Sequence, residues 1–304
     1  MCSADNIVSG KVERLMSPLS EFWLKHKEFS KHMDDMIERD YTGFKEINKK
    51  VLEQFGIELK GIKILEIGCG QLYPHVLLFG KENDITGIDL DIILTKWSPL
   101  LMIKILFNSG IRRFGKSVIR KALFDKKYYR TLEKRSGMKQ DISPKILALS
   151  ADKTGFNDNE FDFITSYNVF EHVDNTENVV MEMKRILKPG GIFALVINIF
   201  TSLSGGHNCF NLLETEGTQD RIPPWDHLRN RHFPPESYLN KLRITDYKRI
   251  FEDHFKELYY SEEEEQRNRR YLTDEVLEEL PDYSVHELLV NEFWILGRKS
   301  KLDQ

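Results

Sequence analysis

Ile62-Lys63-Ile64-Leu65-Glu66-Ile67 is a short run rich in β-formers, and Gly68-Cys69-Gly70 ends it at once. A run of this kind reads as a buried strand entering a tight turn. Glycine in such a turn has no Cβ to hold a ligand away and tolerates positive φ, so the backbone can approach a nucleotide-sized group. Downstream, Asp84-Ile85-Thr86-Gly87-Ile88-Asp89 predicts a second strand. It ends in a carboxylate about twenty residues past the turn, where an acidic side chain can accept hydrogen bonds from ribose hydroxyls. A weak helix over Tyr73 to Lys81 joins the two strands.

Further strands are predicted at Ile146 to Ala151, Phe161 to Ser166 and Ile192 to Ile199. Helix Thr176 to Leu187 leads into the last of these and stops at Lys188-Pro189-Gly190-Gly191, where cation, proline and glycines all disfavour continuation. After it come a helix at Ile244 to His254, a strand at Phe255 to Tyr260, an acidic run from Glu262 to Glu265 and a final strand at Phe293 to Gly297. Strands separated by helices point to a parallel sheet. The expected fold is α/β, a doubly wound, mostly parallel, seven-stranded sheet with helical N-terminal and inserted caps. Apolar residues at Phe29, Met33, Met36, Ile37, Tyr41, Phe44, Ile47, Val51 and Phe55 follow helical spacing, so 11–60 is expected to be helical. The expected organisation is a cap over 1–60 and one domain over 61–304, with insertions at 92–144 and 200–242.

The chain has 304 residues, of which 40% are hydrophobic and 11% aromatic, enough for a sizeable core. A net charge of -4 argues against binding nucleic acid through overall charge. Three scattered cysteines (Cys2, Cys69, Cys209) make no disulfide framework, and the first residues carry no apolar signal core, so a cytoplasmic protein is expected. The most apolar stretch, Trp97 to Phe107, contains Pro99 and Lys104 and is about half the roughly 20 residues of a membrane span, so no transmembrane segment is expected.

Two cofactor classes fit a glycine turn followed by an acidic residue. A nicotinamide or flavin dinucleotide site wants a third glycine three residues after the second, and here that position is Tyr73. The ordered segments Ile64 to Gly70, Gly87-Ile88-Asp89, Ala151-Asp152, Phe161-Asp162 and Leu187 to Gly191 resemble the motifs of class I S-adenosylmethionine-dependent methyltransferases, over residues 60–200. The resemblance implies S-adenosylmethionine as cofactor, with S-adenosylhomocysteine as product. It implies a cofactor site of Glu66, Gly68, Cys69, Gly70, Asp89, Leu90, Asp152, Lys153 and Asn168. Gly68 and Gly70 would lie under the methionine part, Asp89 would hold the ribose, Leu90 would pack on the adenine, Asp152 and Lys153 would face the adenine edge, and Asn168 would lie near the methionine end.

Methyl transfer can be driven largely by positioning, worth up to roughly 7 to 11 kcal/mol, and an oxygen acceptor gains a further factor of about 10² to 10⁴ from a general base. Candidate bases are His227 and then His172. Asn168 to His172 also resembles the metal-binding segment of ubiquinone-pathway O-methyltransferases, which has two glutamates before the histidine; Asn168 stands at the first, and no metal is expected. The second insertion carries His207 and then Pro223-Pro224-Trp225-Asp226-His227-Leu228-Arg229-Asn230-Arg231-His232. There Trp225, Asp226, Arg229 and Arg231 are candidate substrate contacts, the arginines for a carboxylate or phosphate.

The first insertion holds twelve basic residues between Lys96 and Arg135 against Asp125 and Glu133, with apolar residues interleaved. That pattern suits either a helical lid or peripheral contact with an anionic membrane or polyanion through 96–135. The expected acceptor is a small-molecule or glycan-like compound, anionic in some cases, methylated on oxygen. The rivals are an RNA or protein methyltransferase docking through the basic insertion, and a non-catalytic binding module. The Asn-Pro-Pro-aromatic signature of amino-methylating enzymes is absent, Ser166-Tyr167-Asn168-Val169 standing in its place.

Overall fold

A computed structural model describes residues 18–137, 144–207, 223–229 and 237–302, with side chains from His32 onward. Its elements run α1 (Pro18–Phe55), β1 (Lys63–Ile67), α2 (Pro74–Phe79), β2 (Asp84–Asp89), α3 (Pro99–Leu123), α4 (Asp125–Ser136), β3 (Lys145–Ala148), β4 (Phe161–Tyr167), α5 (Thr176–Ile186), β5 (Leu187–Asn198), α6 (Ile244–His254), β6 (Glu257–Glu264), α7 (Asp274–Glu279), α8 (Val285–Leu289) and β7 (Val290–Arg298). The seven strands form one sheet in the order β3-β2-β1-β4-β5-β7-β6. All neighbours as far as β5 are parallel, and β7 runs antiparallel to both β5 and β6. This is the mostly parallel seven-stranded α/β sheet expected from the sequence.

Side-chain alternation on the strands sends Ile64, Phe163, Ala194 and Trp294 to one face, and Leu65, Ile67, Ile164 and Phe193 to the other. The first face is covered by α1, α2 and α4, through residues such as Met33, Ile37, Ile47, Val76, Tyr128 and Leu132. On the second face, α5 and α6 contribute Val180, Met183, Tyr247 and Phe251. From Met33 onward, α1 therefore shares the core of the sheet. Trp225, Val276, Leu280 and Leu288 form a smaller satellite cluster that ties the second insertion to α7 and α8.

Three local expectations are corrected. Lys188-Pro189-Gly190-Gly191 stops α5 but is the irregular start of β5, because the Gly190 amide donates to Lys299 and the Lys299 amide to Gly191. Glu262, Glu263 and Glu264 lie inside β6 rather than after it. Glu262 is paired with Lys248 at 2.7 Å and with His286 at 2.6 Å, and charge on an edge strand discourages pairing with another sheet. The basic insertion is two helices, and α3 is broken at Gly110 (φ 78, ψ 170). Among the described residues no helix is long and apolar enough to cross a membrane.

Candidate functional site

The sheet reverses its winding between β1 and β4, and their carboxyl ends open on one crevice, the usual ligand position in open α/β sheets. At the end of β1 the Gly68 and Cys69 amides both donate to the Ile88 carbonyl, at 2.8 and 3.0 Å. The Gly70 amide donates to Asp89 Oδ2 at 3.0 Å, and the Asp91 amide to Asp89 Oδ1 at 2.9 Å. Asp89 thus binds its own loop first, and each carboxylate oxygen keeps a second acceptor direction. Burial raises its pKa, against the two amides.

The two glycines of the turn differ. At Gly68 (φ +72) an added Cβ would fall 2.4 Å from Val169 Cγ2, so the close approach required there is to the loop after β4. At Gly70 (φ +66) the same atom would meet open space. Beyond β4, Asn168 takes a left-handed conformation (φ 53), its amide donates to Val196, and its side-chain Oδ1 is buried with no hydrogen-bond partner. The open side of Gly70, the carboxylate of Asp89 and the orphaned Asn168 oxygen together fit a polar, nucleoside-containing group. A cavity of about 550 Å³ begins at the residue after Asp89, lined by Leu90, Asp91, Ile92, Ala148 and the broken part of α3, Asn108, Ser109 and Arg113. Arg113 is hydrogen-bonded to Asp91. Sequence reading missed this wall; its signal was Gly110 inside an otherwise helical run.

Other expected cofactor residues fare unevenly. Leu90 is 79% exposed at the cavity mouth, and Asp152 and Lys153 are exposed after β3, with Asp152 accepting a hydrogen bond from Ser150. The side chains of Cys69 and Glu66 are both buried. The Cys69 side chain is buried against Gly87, and burial pushes its thiol pKa up. Glu66 is buried 3.4 Å from His75 Nδ1, and its Oε2 has no hydrogen-bond partner. His75 Nε2 lies 3.0 Å from the Asp40 carbonyl, and Tyr128 donates to Asp40 Oδ2 at 2.6 Å. Burial disfavours the charged form of His75, but Glu66 and Asp40 outweigh it and its pKa is raised. This polar network joins α1, α2, α4 and β1 and was not read from the sequence.

A second group of polar side chains sits past β4. Glu171, His172 and His207 place potential ligand or proton-transfer atoms within 4.8 Å of one another. Glu171 is buried, its carboxyl oxygens lack a hydrogen-bond partner of good geometry, and burial pushes its pKa up to about 8. His172 Nδ1 lies 2.8 Å from the Tyr238 carbonyl, which leaves Nε2 with the lone pair when the ring is neutral. Burial lowers its pKa. The His207 ring meets His172 edge to face at 4.7 Å, and burial, with His172 and His227 adding, brings its pKa down to about 3.

Trp225, Asp226 and His227, in the loop expected to hold the base and the substrate contacts, are buried. His227 is 8% exposed, packed on Phe200 and beneath Gly206, with Nε2 2.8 Å from the Phe200 carbonyl; burial lowers its pKa to about 4. Trp225 is fully buried in the satellite cluster and donates to the Thr201 carbonyl. Arg229 binds Glu279 at 2.6 Å and the Pro224 carbonyl at 3.3 Å, so its charge is spent inside the protein. Asp226 is buried beside them, and Arg231 lies outside the described residues.

Residues 118–195, from the second half of α3 to the middle of β5, match the family described as a methyltransferase domain. No curated protein matches the sequence. Among solved structures, the [4+2]-cyclase SpnF is similar at 16% identity over 84% of this chain and 80% of that one, with a TM-score of 0.42. Phosphoethanolamine N-methyltransferase 2 of Haemonchus contortus, crystallised with S-adenosyl-L-methionine, is similar at 15% identity over 84% of this chain, with a TM-score of 0.44; the match spans about half (52%) of that longer chain. A protein from Pyrococcus horikoshii gives 14% identity over 86% and 91% of the two chains, with a TM-score of 0.46. The matched segment is 78 of the 304 residues and is similar to a methyltransferase domain.

Proposed function

We propose that this chain is an S-adenosylmethionine-dependent methyltransferase of class I, that it methylates an oxygen of a small-molecule or glycan-like acceptor, and that His172 takes the proton from the acceptor hydroxyl. The observation that carries the reading is the placing of His172, next to Glu171 and His207, three residues past Val169, which packs on the glycine turn. A neutral imidazole with a lowered pKa and a free Nε2 is suited to accept a proton at pH 7. Glu171, protonated below about pH 8, adds no negative charge of its own near neutrality and can donate a hydrogen bond to the acceptor. The substrate roles expected of Trp225 and Arg229 are not retained.

In this reading Gly70 and Asn168 hold the methionine end of the cofactor, Asp89 accepts from the ribose, and Leu90 packs on the adenine, with Asp152 and Lys153 at its edge. Asn108, Ser109 and Arg113 close the far side. When bound, S-adenosylmethionine supplies a sulfonium-activated methyl group. Residues 61–304 act as one catalytic unit, which α1 completes by packing on the sheet.

The test is release of S-adenosylhomocysteine from S-adenosylmethionine with a panel of sugar, sugar-phosphate and phenolic acceptors, comparing the parent with His172→Ala. Turnover is expected to fall by about 10² or more with cofactor affinity unchanged. Transfer only to amines, or full turnover by His172→Ala, refutes the reading.

A further inference from the structure

The first insertion leaves a strip of large apolar side chains exposed. Leu100 (64% exposed), Ile103 (52%) and Phe107 (81%) lie on one side of α3 before its break, while Ile105 on the other side is fully buried. Trp97 (57%) precedes the helix, and Ile111 (71%) follows the break. Single exposed apolar side chains are ordinary on soluble proteins, but five large ones within fifteen residues of one segment form a patch that calls for a partner.

The charges around the strip say which partner. Arg113, Arg120, Lys121 and Arg135 are taken up by Asp91, Asp125 and Glu38. Lys96, Lys104 and Arg112 are exposed within or beside the strip, and Lys126, Lys127, Arg130 and Lys134 are exposed on α4. Between Lys96 and Leu132 the sole acidic residue is Asp125, which is buried. A second copy docking by this face would set cations against cations. A nucleic acid would satisfy the cations but leave Leu100, Ile103 and Ile111 against phosphate and sugar. A bilayer with anionic headgroups satisfies both sets at once, the apolar side chains entering the headgroup boundary and the cations meeting lipid phosphates.

We propose that α3 lies in the surface of an anionic lipid bilayer, seating the enzyme there through Trp97, Leu100, Ile103, Phe107 and Ile111 with Lys96, Lys104 and Arg112. The experiment is co-sedimentation of the full chain with phosphatidylcholine vesicles, with and without 30% phosphatidylglycerol, at 100 and 500 mM NaCl. Two variants accompany it, Leu100→Ser/Ile103→Ser/Phe107→Ser and Lys104→Glu/Arg112→Glu; S-adenosylhomocysteine binding checks that each is folded. The expected result is binding to phosphatidylglycerol vesicles that weakens tenfold or more in either variant. A blue shift of tryptophan emission on vesicle addition, lost in Trp97→Phe, is also expected. Failure of the parent to sediment with phosphatidylglycerol vesicles at 100 mM salt overturns the proposal. So does vesicle binding that survives the apolar variant, binding of polyuridylate unaffected by that variant, or a dimer in sedimentation velocity that the variant dissolves.

Discussion

Gly68→Ala and Gly70→Ala separate the two tasks performed by one glycine turn. Both residues have positive φ, +72 and +66, a region that costs an L side chain about 1 to 2 kcal/mol. At Gly68 the new methyl also falls 2.4 Å from Val169 Cγ2, and overpacking of this kind adds about 1 to 3 kcal/mol. Gly68→Ala should therefore lose about 2 to 5 kcal/mol of stability, and Val169→Ala in that background should recover part of the overpacking cost, because the Cβ of residue 169 still lies 2.9 Å from the new methyl, while leaving the backbone cost. Gly70→Ala should lose only the backbone part, since its methyl meets open space, but that space is where the cofactor lies in the proposed reading, so S-adenosylhomocysteine should bind at least tenfold more weakly, about 1.4 kcal/mol. Urea midpoints read the first quantity and calorimetric titration the second. The division of labour is refuted if Gly68→Ala is no less stable than Gly70→Ala, or if Gly70→Ala binds S-adenosylhomocysteine as the parent does.

Two further outcomes follow from the same geometry. Asp89→Ala removes a carboxylate that holds the Gly70 and Asp91 amides, and loss of hydrogen bonds to a charged acceptor should lower S-adenosylhomocysteine affinity by about 1.5 to 3 kcal/mol; an unchanged dissociation constant removes Asp89 from the site. Glu171 has its folded pKa raised from 4.5 to about 8, so it contributes stability that is full below pH 4.5 and is lost as pH rises to about 8. The histidines beside it act in the opposite sense, so the readout is the melting temperature of the parent minus that of Glu171→Gln, which should fall steadily between pH 5 and 8; a flat difference refutes the buried-carboxyl assignment.

The parts of the fold legible in the sequence are those whose cause is local. β1, β2 and β4 are apolar runs closed by glycine or by a polar turn, and Ile244–His254 is an amphipathic turn-by-turn repeat whose observed bounds coincide with the expected ones. What was not legible depends on a distant partner. The glutamates of β6 look like a solvated run until Lys248 and His286 arrive beside them. Nothing near Glu66 in sequence announces His75 and Asp40 as its neighbours. The glycine turn was legible as a turn, yet its first glycine is required by Val169, about a hundred residues away. In the same way, His172 could be placed after β4 from sequence, but the approach of His207 to it depends on how residues 200–207 are held.

The loop around Trp225 touches that segment through two of the residues read as the base and a substrate contact. Trp225 Nε1 donates to the Thr201 carbonyl at 3.1 Å, and His227 Nε2 bonds the Phe200 carbonyl at 2.8 Å, so two buried rings clamp the start of the segment that ends at His207. Arg229 in turn is anchored on Glu279 of α7. If His227 acts through this clamp, His227→Ala should lower the melting temperature and reduce turnover while leaving the shape of the pH–rate profile as in the parent, because the titrating group is elsewhere. Trp225→Ala should do the same with a larger loss of stability, about 3 to 5 kcal/mol for a fully buried tryptophan. His172→Ala, by contrast, should abolish the acidic limb of the profile with little change in melting temperature. A proton acceptor at His227 would reverse the two patterns: the acidic limb would vanish in His227→Ala and persist in His172→Ala, and the clamp would then be the catalytic site that its polarity suggested.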